Sequence, residues 1–296
     1  MKSLYFFDND AGVRAPGLLN SVKVIREAID PAAPLLEQGS ENSDTGRNSM
    51  QASEQKQDED PHPMLKNYSG VAEICRTCKS YAEGLLEQGH VPVLVAGDHS
   101  IGMGSVAATA SYYDDLTVVW VDAHADINTE KTTPSGNIHG MPLASLFGIG
   151  SPELRRLSGP HQPTRPENLI YLGLRDLDPG EVETLKHLPA KAYWFEDIKR
   201  EDLAKVLEGL KTSVKTKNIH LSIDLDSMNP DLVPGVSVPV PGGFTPDEVL
   251  DIVRFFQANF DVRAYDLVEY NARLDSEDKS LKVALRILQQ ILTYTK

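Results

Sequence analysis

The chain has 296 residues and carries 43 acidic against 29 basic side chains, giving a formal net charge of −14. This length can bury a large core, which excludes disorder for most of the chain. The acidic balance argues against a nucleic-acid binder, because such proteins carry a basic surface. No apolar run reaches the length that spans a bilayer, so we expect no membrane contact and place the protein in the cytoplasm.

Short apolar runs alternate along the chain with longer amphipathic stretches. The apolar runs predict strands at residues 4–7, 91–96, 116–121, 169–172, 192–195, 219–223 and 262–268. The amphipathic stretches predict helices at residues 71–88, 180–188, 202–214, 246–259 and 279–294. This alternation is typical of βαβ units, and continuous apolar strands indicate burial on both faces. We therefore predict an α/β fold with a mostly parallel central sheet between helices.

One polar segment interrupts this alternation. Between residues 39 and 60, Met50 and Ala52 are the only apolar side chains among many acidic and polar ones. Because this composition cannot form a core, we predict an exposed, mobile loop at 39–60. We find no second domain boundary and expect a single domain over residues 1–296.

The most informative polar residues follow the predicted strand at 116–121. Asp122, His124 and Asp126 occupy alternate positions directly after it. Alternate residues of an extended backbone point to the same side, so these three side chains converge at the carboxyl end of a strand. Open α/β sheets bind their ligands at this end.

Two other predicted strands end in similar residues. His99 follows the strand at 91–96, and Asp224 and Asp226 follow the strand at 219–223. Clustered carboxylates repel one another unless a cation neutralises them. Mixed oxygen and nitrogen ligands suit Mn, Fe, Co or Zn, and the number of ligands indicates a pair of ions. Such a pair would lower the pKa of a bridging water and create hydroxide near neutral pH.

A competing motif lies after the strand at 91–96. Gly102 and Gly104 open a helix, and Asp122 follows at the distance found in dinucleotide-binding folds. However, the strand ends at about Ala96, and Asp98, His99 and Ser100 lie between it and the glycines, where a nucleotide site needs a tight turn. We interpret these glycines as positions of close packing between helix and sheet.

Three ordered motifs resemble those of a known family. Residues 96–100, 122–126 and 222–226 read Ala-Gly-Asp-His-Ser, Asp-Ala-His-Ala-Asp and Ser-Ile-Asp-Leu-Asp. They resemble the metal-binding motifs of the ureohydrolases, the superfamily of arginases, agmatinases and formimidoylglutamases. Two further segments, 126–142 and 173–181, resemble the arginase substrate loop and the arginase segment that binds the α-amino group. The resemblance covers roughly residues 64–271.

The resemblance implies a single ureohydrolase domain with the three-layer α/β/α arginase-like fold. It also implies two Mn²⁺ per subunit, assembly into a trimer or hexamer, and hydrolysis of L-arginine to L-ornithine and urea by a metal-bridging hydroxide. The implied metal ligands are His99, Asp122, His124, Asp126, Asp224 and Asp226. In this assignment Asp122 and Asp226 contact both ions, and Asp126 counts among the catalytic residues.

The remaining roles also come from the resemblance. His139 would shuttle a proton to the leaving amine, and Glu269 would pair with the substrate guanidinium. The implied substrate contacts are Asn128, Ser135 and Asn137 for the α-carboxylate, Asp178 for the α-ammonium, and Val238 near the guanidinium.

One motif departs from the family pattern. Residues 234–239 read Pro-Gly-Val-Ser-Val-Pro, with Ser237 where arginases carry glycine and Val238 where they carry threonine. The missing hydroxyl removes a polar contact worth about 0.5–1.5 kcal/mol. A Gly-Val-Ser-x-Pro sequence is reminiscent of formimidoylglutamases. Agmatinase, guanidinobutyrase and formimidoylglutamase activities thus remain alternatives, as does a non-catalytic binding subunit of the same fold, in which we would expect metal ligands to be lost.

Overall fold

A computed structural model describes residues 1–37, 60–160 and 163–295. The polar loop predicted at 39–60 therefore lies outside the described residues, apart from Asp60. The strands are β1 (Lys2–Asp8), β2 (Leu35–Glu37), β3 (Val91–Ala96), β4 (Leu116–Val121), β5 (Leu169–Leu174), β6 (Lys191–Trp194), β7 (Asn218–Asp224) and β8 (Asp261–Val268). The helices are α1 (Ser21–Ile29), α2 (Tyr68–Glu87), α3 (Gly102–Tyr112), α4 (Pro142–Leu146), α5 (Pro152–Arg156), α6 (Pro179–His187), α7 (Phe195–Glu201), α8 (Leu203–Ser213), α9 (Pro246–Asn259) and α10 (Lys279–Thr293).

The eight strands of the described residues pair in parallel and form one sheet in the order β2-β1-β3-β8-β7-β4-β5-β6. The prediction of a parallel α/β sheet is confirmed. The order places β3, β8, β7 and β4 side by side at the centre. Because parallel strands all end at the same edge, residues that follow these four strands meet there.

Two hydrophobic clusters cover the two faces of the sheet. Helices α1 and α7–α10 supply one cluster, and α2–α5 supply the other. Neighbouring residues of a strand belong to opposite clusters, as Val93 and Leu94 do in β3. This two-sided burial explains why the central strands are continuous apolar runs, and it confirms the three-layer α/β/α arrangement.

Several elements were not predicted from the sequence. Strand β2 has only three residues, which is too short for a recognisable pattern. The helices α1, α4, α5 and α7 were also missed, and Phe195, predicted as the end of a strand, begins α7 instead. None of these elements contains a predicted site residue.

Candidate active site

The predicted ligands gather at the carboxyl ends of the four central strands. His99 follows β3, Glu269 follows β8, and Asp224 ends β7 shortly before Asp226. Asp122, His124 and Asp126 follow β4. Nearly all these side chains are buried, with 6% exposure or less, while His124 is half-buried. Residues far apart in the chain thus share one water-poor site.

The imidazole of His99 faces three carboxylates. Its Nδ1 lies 3.2 Å from Asp122 Oδ2, 3.2 Å from Asp126 Oδ2 and 3.1 Å from Asp224 Oδ2. Its Nε2 lies 2.8 Å from the Ser222 hydroxyl. The ring stacks on Trp120 with 3.9 Å between centroids and a 6° interplanar angle. The hydroxyl and the indole fix the ring so that Nδ1 points at the carboxylates.

A second imidazole completes the cluster. His124 Nδ1 lies 3.1 Å from Asp226 Oδ2 and 3.5 Å from Asp122 Oδ1. Two groups therefore emerge, one of His99, Asp122 and Asp126, the other of Asp122, His124 and Asp226, and both contain Asp122. The shared position of Asp122 agrees with the resemblance. The other pairing differs, because Asp224 rather than Asp226 lies beside His99.

The cluster has the properties of a cation site. His99 Nδ1, Asp122 Oδ2 and Asp126 Oδ2 are buried and make no hydrogen bond within the described residues. Leaving such atoms unpaired in a protein interior costs free energy. Four carboxylates and two imidazoles that converge without a hydrogen bond at these atoms fit divalent metal ions as the missing partners.

In the protein without metal, bound protons compensate the negative charge of the carboxylates. Burial lowers the pKa of His99, but the close approach of the carboxylates of Asp122, Asp126 and Asp224 raises it by more, to well above the ordinary histidine range. Burial and the neighbouring carboxylates Asp226 and Asp122 raise the pKa of Asp224. Metal ions and protons therefore compete for the same atoms, so metal uptake should release protons.

Beside the cluster, a histidine and a glutamate form a pair. His139 Nδ1 lies 3.2 Å from Glu269 Oε1, which also accepts a hydrogen bond from the His99 backbone N–H at 3.0 Å. Glu269 Oε2 is buried and has no hydrogen-bond partner among the residues that the structure describes. Burial lowers the pKa of His139, but the hydrogen bond to Glu269 and the negative charge of Glu269 raise it by more, to about 9. His139 is therefore a proton donor at neutral pH.

Two of the site's residues adopt unusual backbone conformations. Asp126 has φ 50° and Glu269 has φ 65°, in the left-handed region that favours glycine. Non-glycine residues there are uncommon, and they cluster at functional sites. The backbone of both residues is held by neighbours, since Leu143 N–H donates to Asp126 O at 2.9 Å and Glu269 N–H donates to Gly97 O at 2.7 Å.

The cluster lies at the base of a cavity of about 110 Å³. Every residue predicted for catalysis, substrate binding or metal binding lines this cavity except Asp122, which lies beneath it. The lining consists of His99, His124, Asp126, Asn128, Thr133, Ser135, Asn137, His139, Gly140, Asp178, Glu181, Asp224, Asp226, Val238 and Glu269. Sequence reasoning missed Thr133, Gly140 and Glu181.

At the start of helix α6, a polar network forms one wall of the cavity. Asp178 and Glu181 make a capping box there, and Glu181 also accepts a hydrogen bond from the Ile127 N–H at 3.1 Å. Burial raises the pKa of Glu181 to about 7. Asn128 donates to Asp178 Oδ2 at 2.7 Å. The spacing Asp-x-x-Glu is a recognisable capping signal that could have revealed Glu181.

The unusual residues Ser237 and Val238 take different positions. The Ser237 hydroxyl accepts a hydrogen bond from Asn271 Nδ2 at 3.1 Å. Asn271 lies two residues after Glu269 in the chain. Val238 lines the cavity and is 37% exposed. The serine therefore supports the Glu269 segment from behind, while the valine gives an otherwise polar cavity an apolar patch.

The glycines that imitated a nucleotide-binding turn have packing roles. A Cβ at Gly102 would lie 2.8 Å from the Trp120 ring, and one at Gly104 would lie 2.4 Å from the backbone oxygen of Cys75 in α2. The interpretation of Gly102 as helix–sheet packing is confirmed, whereas Gly104 packs helix against helix.

None of the helices within residues 1–37, 60–160 and 163–295 is long and apolar enough to cross a bilayer.

Comparison with known proteins gives concordant results. The arginase family model matches residues 7–293. The arginase of Bacillus subtilis is 38% identical over 230 residues, covering 77% of each chain, and the arginase of Bacillus caldovelox is 36% identical over 226 residues, covering 76% of each. A crystal structure of arginase from Bacillus subtilis superimposes with a TM-score of 0.82 at 31% identity, covering 99% of both chains.

Proposed function

Because the chain belongs to the arginase family, we propose that it hydrolyses the guanidinium group of L-arginine to give L-ornithine and urea. The observation that carries the proposal is the joint lining of one cavity by the His/Asp cluster, the His139–Glu269 pair and Asp178. One water is consumed in this reaction. Its oxygen becomes the urea oxygen as the bond between carbon and the side-chain nitrogen breaks.

The two groups that share Asp122 would each hold one divalent cation, and we propose Mn²⁺ at both positions. Bound there, the cations would supply Lewis acidity and make water nucleophilic near neutral pH. On the distances in the structure, Asp224 joins the His99 group and Asp226 joins the His124 group. Metal analysis of protein loaded with Mn²⁺ should give close to two ions per chain.

Glu269 would bind and orient the guanidinium. Its Oε1 is held by the His99 N–H and by His139, so the free Oε2 has a fixed direction. A guanidinium offers planar N–H donors to such a carboxylate. Fixing the guanidinium carbon over the metal cluster lowers the barrier by orientation.

The other end of the substrate would be recognised at the cavity wall. We propose that Asp178 pairs with the α-ammonium and that Ser135 and Asn137 contact the α-carboxylate. Asn128 would orient Asp178 through its 2.7 Å hydrogen bond, and its remaining N–H can contact the carboxylate. These contacts favour an α-amino acid over agmatine, which lacks the carboxylate, and over guanidinobutyrate, which lacks the ammonium.

The proposal predicts urea release from L-arginine after incubation with Mn²⁺, and little from agmatine or guanidinobutyrate. Losing hydrogen bonds to a charged carboxylate costs about 1.5–3 kcal/mol, so kcat/KM for agmatine should be lower by roughly tenfold or more. Comparable urea from both substrates would contradict the roles of Ser135, Asn137 and Asp178. Release of formamide from formimidoylglutamate, without urea from L-arginine, would assign the protein to the rival activity that Ser237 and Val238 suggest.

We expect replacement of His139 with asparagine to lower kcat by about 10²–10⁴-fold, the usual contribution of a general acid. The pKa of His139 is raised to about 9, so the proton-donating form prevails below that pH and is lost above it. Wild-type kcat should therefore fall as pH rises through about 9, and His139→Asn should lack this descending limb. A variant with the same limb would show that another group is the acid.

We further propose that the protein acts in the cytoplasm as a homo-oligomer, either a trimer or a hexamer. The support is the membership of the arginase family. Sedimentation of the purified protein would test the assembly, and a monomer at micromolar concentration would contradict it.

A further inference from the structure

An arginine at the end of strand β5 donates to an unusual number of carbonyl groups. The half-buried guanidinium of Arg175 lies within hydrogen-bond distance of six backbone oxygens. They belong to Gly173, Asp226, Ser227, Met228, Val240 and Pro241. Since a guanidinium has five N–H donors in one plane, every donor direction is used.

Five of these oxygens belong to two segments that border the cavity. The first, here called the ligand turn, is residues 226–228, which begin with the candidate metal ligand Asp226. The second, here called the wall loop, is residues 234–243, which carry Val238. Arg175 Nη2 lies 2.7 Å from the Asp226 oxygen and 3.2 Å from the Val240 oxygen. One guanidinium therefore ties the cavity wall to the cavity floor.

The surroundings of Arg175 favour this position. Its guanidinium lies 5.8 Å from the centre of the Phe195 ring, within range of a cation–π interaction. Gly243 approaches so closely that a Cβ would lie 2.7 Å from Arg175 Nη2, and its φ of 103° also favours glycine. The described residues that line the cavity include no lysine or arginine, so Arg175 contributes its positive charge from behind the wall.

We infer that Arg175 is a positioning residue for substrate binding, one that holds the wall loop against the ligand turn without touching substrate itself. The inference deepens the proposed function, on which its kinetic consequences rest. Lysine in its place would keep the charge but offer three donors from a single nitrogen, so it cannot reach all six oxygens. The wall loop should then move away from the ligand turn while the fold and the metal ligands remain.

The kinetic test compares Arg175→Lys with Arg263→Lys, a matched change at the opposite end of the sheet. Arg263 is also half-buried, donates to Asn218 at 2.7 Å and lies 4.9 Å from the Tyr113 ring. We expect Arg175→Lys to raise KM for L-arginine about tenfold, with kcat changed less than about threefold. The Mn²⁺ content should stay unchanged, and Arg263→Lys should behave as wild type.

A second readout is independent of activity. Asn229 directly follows the ligand turn and Phe244 directly follows the wall loop. Their amides join the two chains at this point, Asn229 N–H to Phe244 O at 2.9 Å and Phe244 N–H to Ser227 O at 3.0 Å. Their hydrogen exchange should become at least about tenfold faster in Arg175→Lys, because local opening exposes them. If that variant does not fold, Arg175→Gln tests the same contacts with the same expected changes, because a single side-chain amide cannot reach all six oxygens either.

The outcomes separate this inference from the proposed function. KM and both exchange rates within twofold of wild type in Arg175→Lys would overturn the inference, as would equal changes in Arg263→Lys. Failure of the wild-type protein to release urea from L-arginine would overturn the proposed function instead. Faster exchange of Asn229 and Phe244 would still support the positioning role of Arg175 in that case.

Discussion

Replacing Asp122 with asparagine is expected to abolish metal binding at both positions and to lower urea production by about 10³-fold or more. Asp122 belongs to both candidate ligand groups, with Oδ2 toward His99 and Oδ1 toward His124. Asparagine keeps the shape but loses the charge and places an N–H₂ group or a neutral oxygen against the cation. Loss of the metals removes several kcal/mol of transition-state stabilisation, and each 1.36 kcal/mol is tenfold in rate.

The measurements are metal content after dialysis and thermal unfolding with and without Mn²⁺. Wild type should gain stability from Mn²⁺, because a ligand that binds only the folded state stabilises it, whereas Asp122→Asn should gain little. Without metal the variant should unfold at or below the wild-type temperature. Burial raises the pKa of Asp122, but its contacts with His124 and His99 lower it by more, so the carboxylate stabilises the folded state. Asp251→Asn, an exposed partner of Arg254, serves as the control. Two retained ions in Asp122→Asn would refute the shared-ligand assignment.

Replacing Glu269 with glutamine is expected to leave both metals in place and still to lower kcat/KM by roughly 30-fold to 4,000-fold. This range corresponds to the 2–5 kcal/mol cost of truncating one partner of a buried charge pair. Glutamine can still accept the His99 N–H at Oε1 but cannot neutralise a guanidinium at Oε2. The main loss should appear in KM, with a further loss in kcat from misorientation of His139.

The pH dependence gives a second check on Glu269. Its carboxylate is the main reason that the pKa of His139 is raised to about 9 despite burial. In Glu269→Gln the descending limb of kcat should therefore shift to lower pH. Glu248→Gln removes an equivalent glutamate that caps helix α9 and pairs with Lys199, so it should leave both kinetics and pH profile unchanged. An unshifted limb in Glu269→Gln would contradict the pairing with His139.

The ligands could be predicted from sequence because each one directly follows an apolar strand. Asp122 comes one residue after β4, and Asp224 is the last residue of β7, so a correct strand prediction also places the carboxylates. Their division between two ions could not be predicted in this way. It depends on the twist and register of neighbouring strands, which set Asp224 rather than Asp226 beside His99.

Contacts that depend on the paths of loops were also beyond sequence reasoning. Arg175 lay within a segment noted for its resemblance, but its carbonyl partners lie 51 to 66 residues away, apart from Gly173. Nothing in local composition indicates such a meeting. The single domain over residues 1–296 stays a prediction. The mobile loop at 39–60 also stays a prediction, because it lies almost entirely outside the described residues.

The left-handed backbone at Asp126 and Glu269 matters for any attempt to make this protein more robust. Engineering for thermal stability commonly looks for non-glycine residues with positive φ and exchanges them for glycine to relieve strain of about 1 kcal/mol or more each. At Glu277, with φ 59° on the surface, such an exchange risks little. At Asp126 and Glu269 the exchange would raise thermal stability but remove the side chains that the proposed reaction needs. Selection for stability alone would therefore favour variants of this chain that have lost activity.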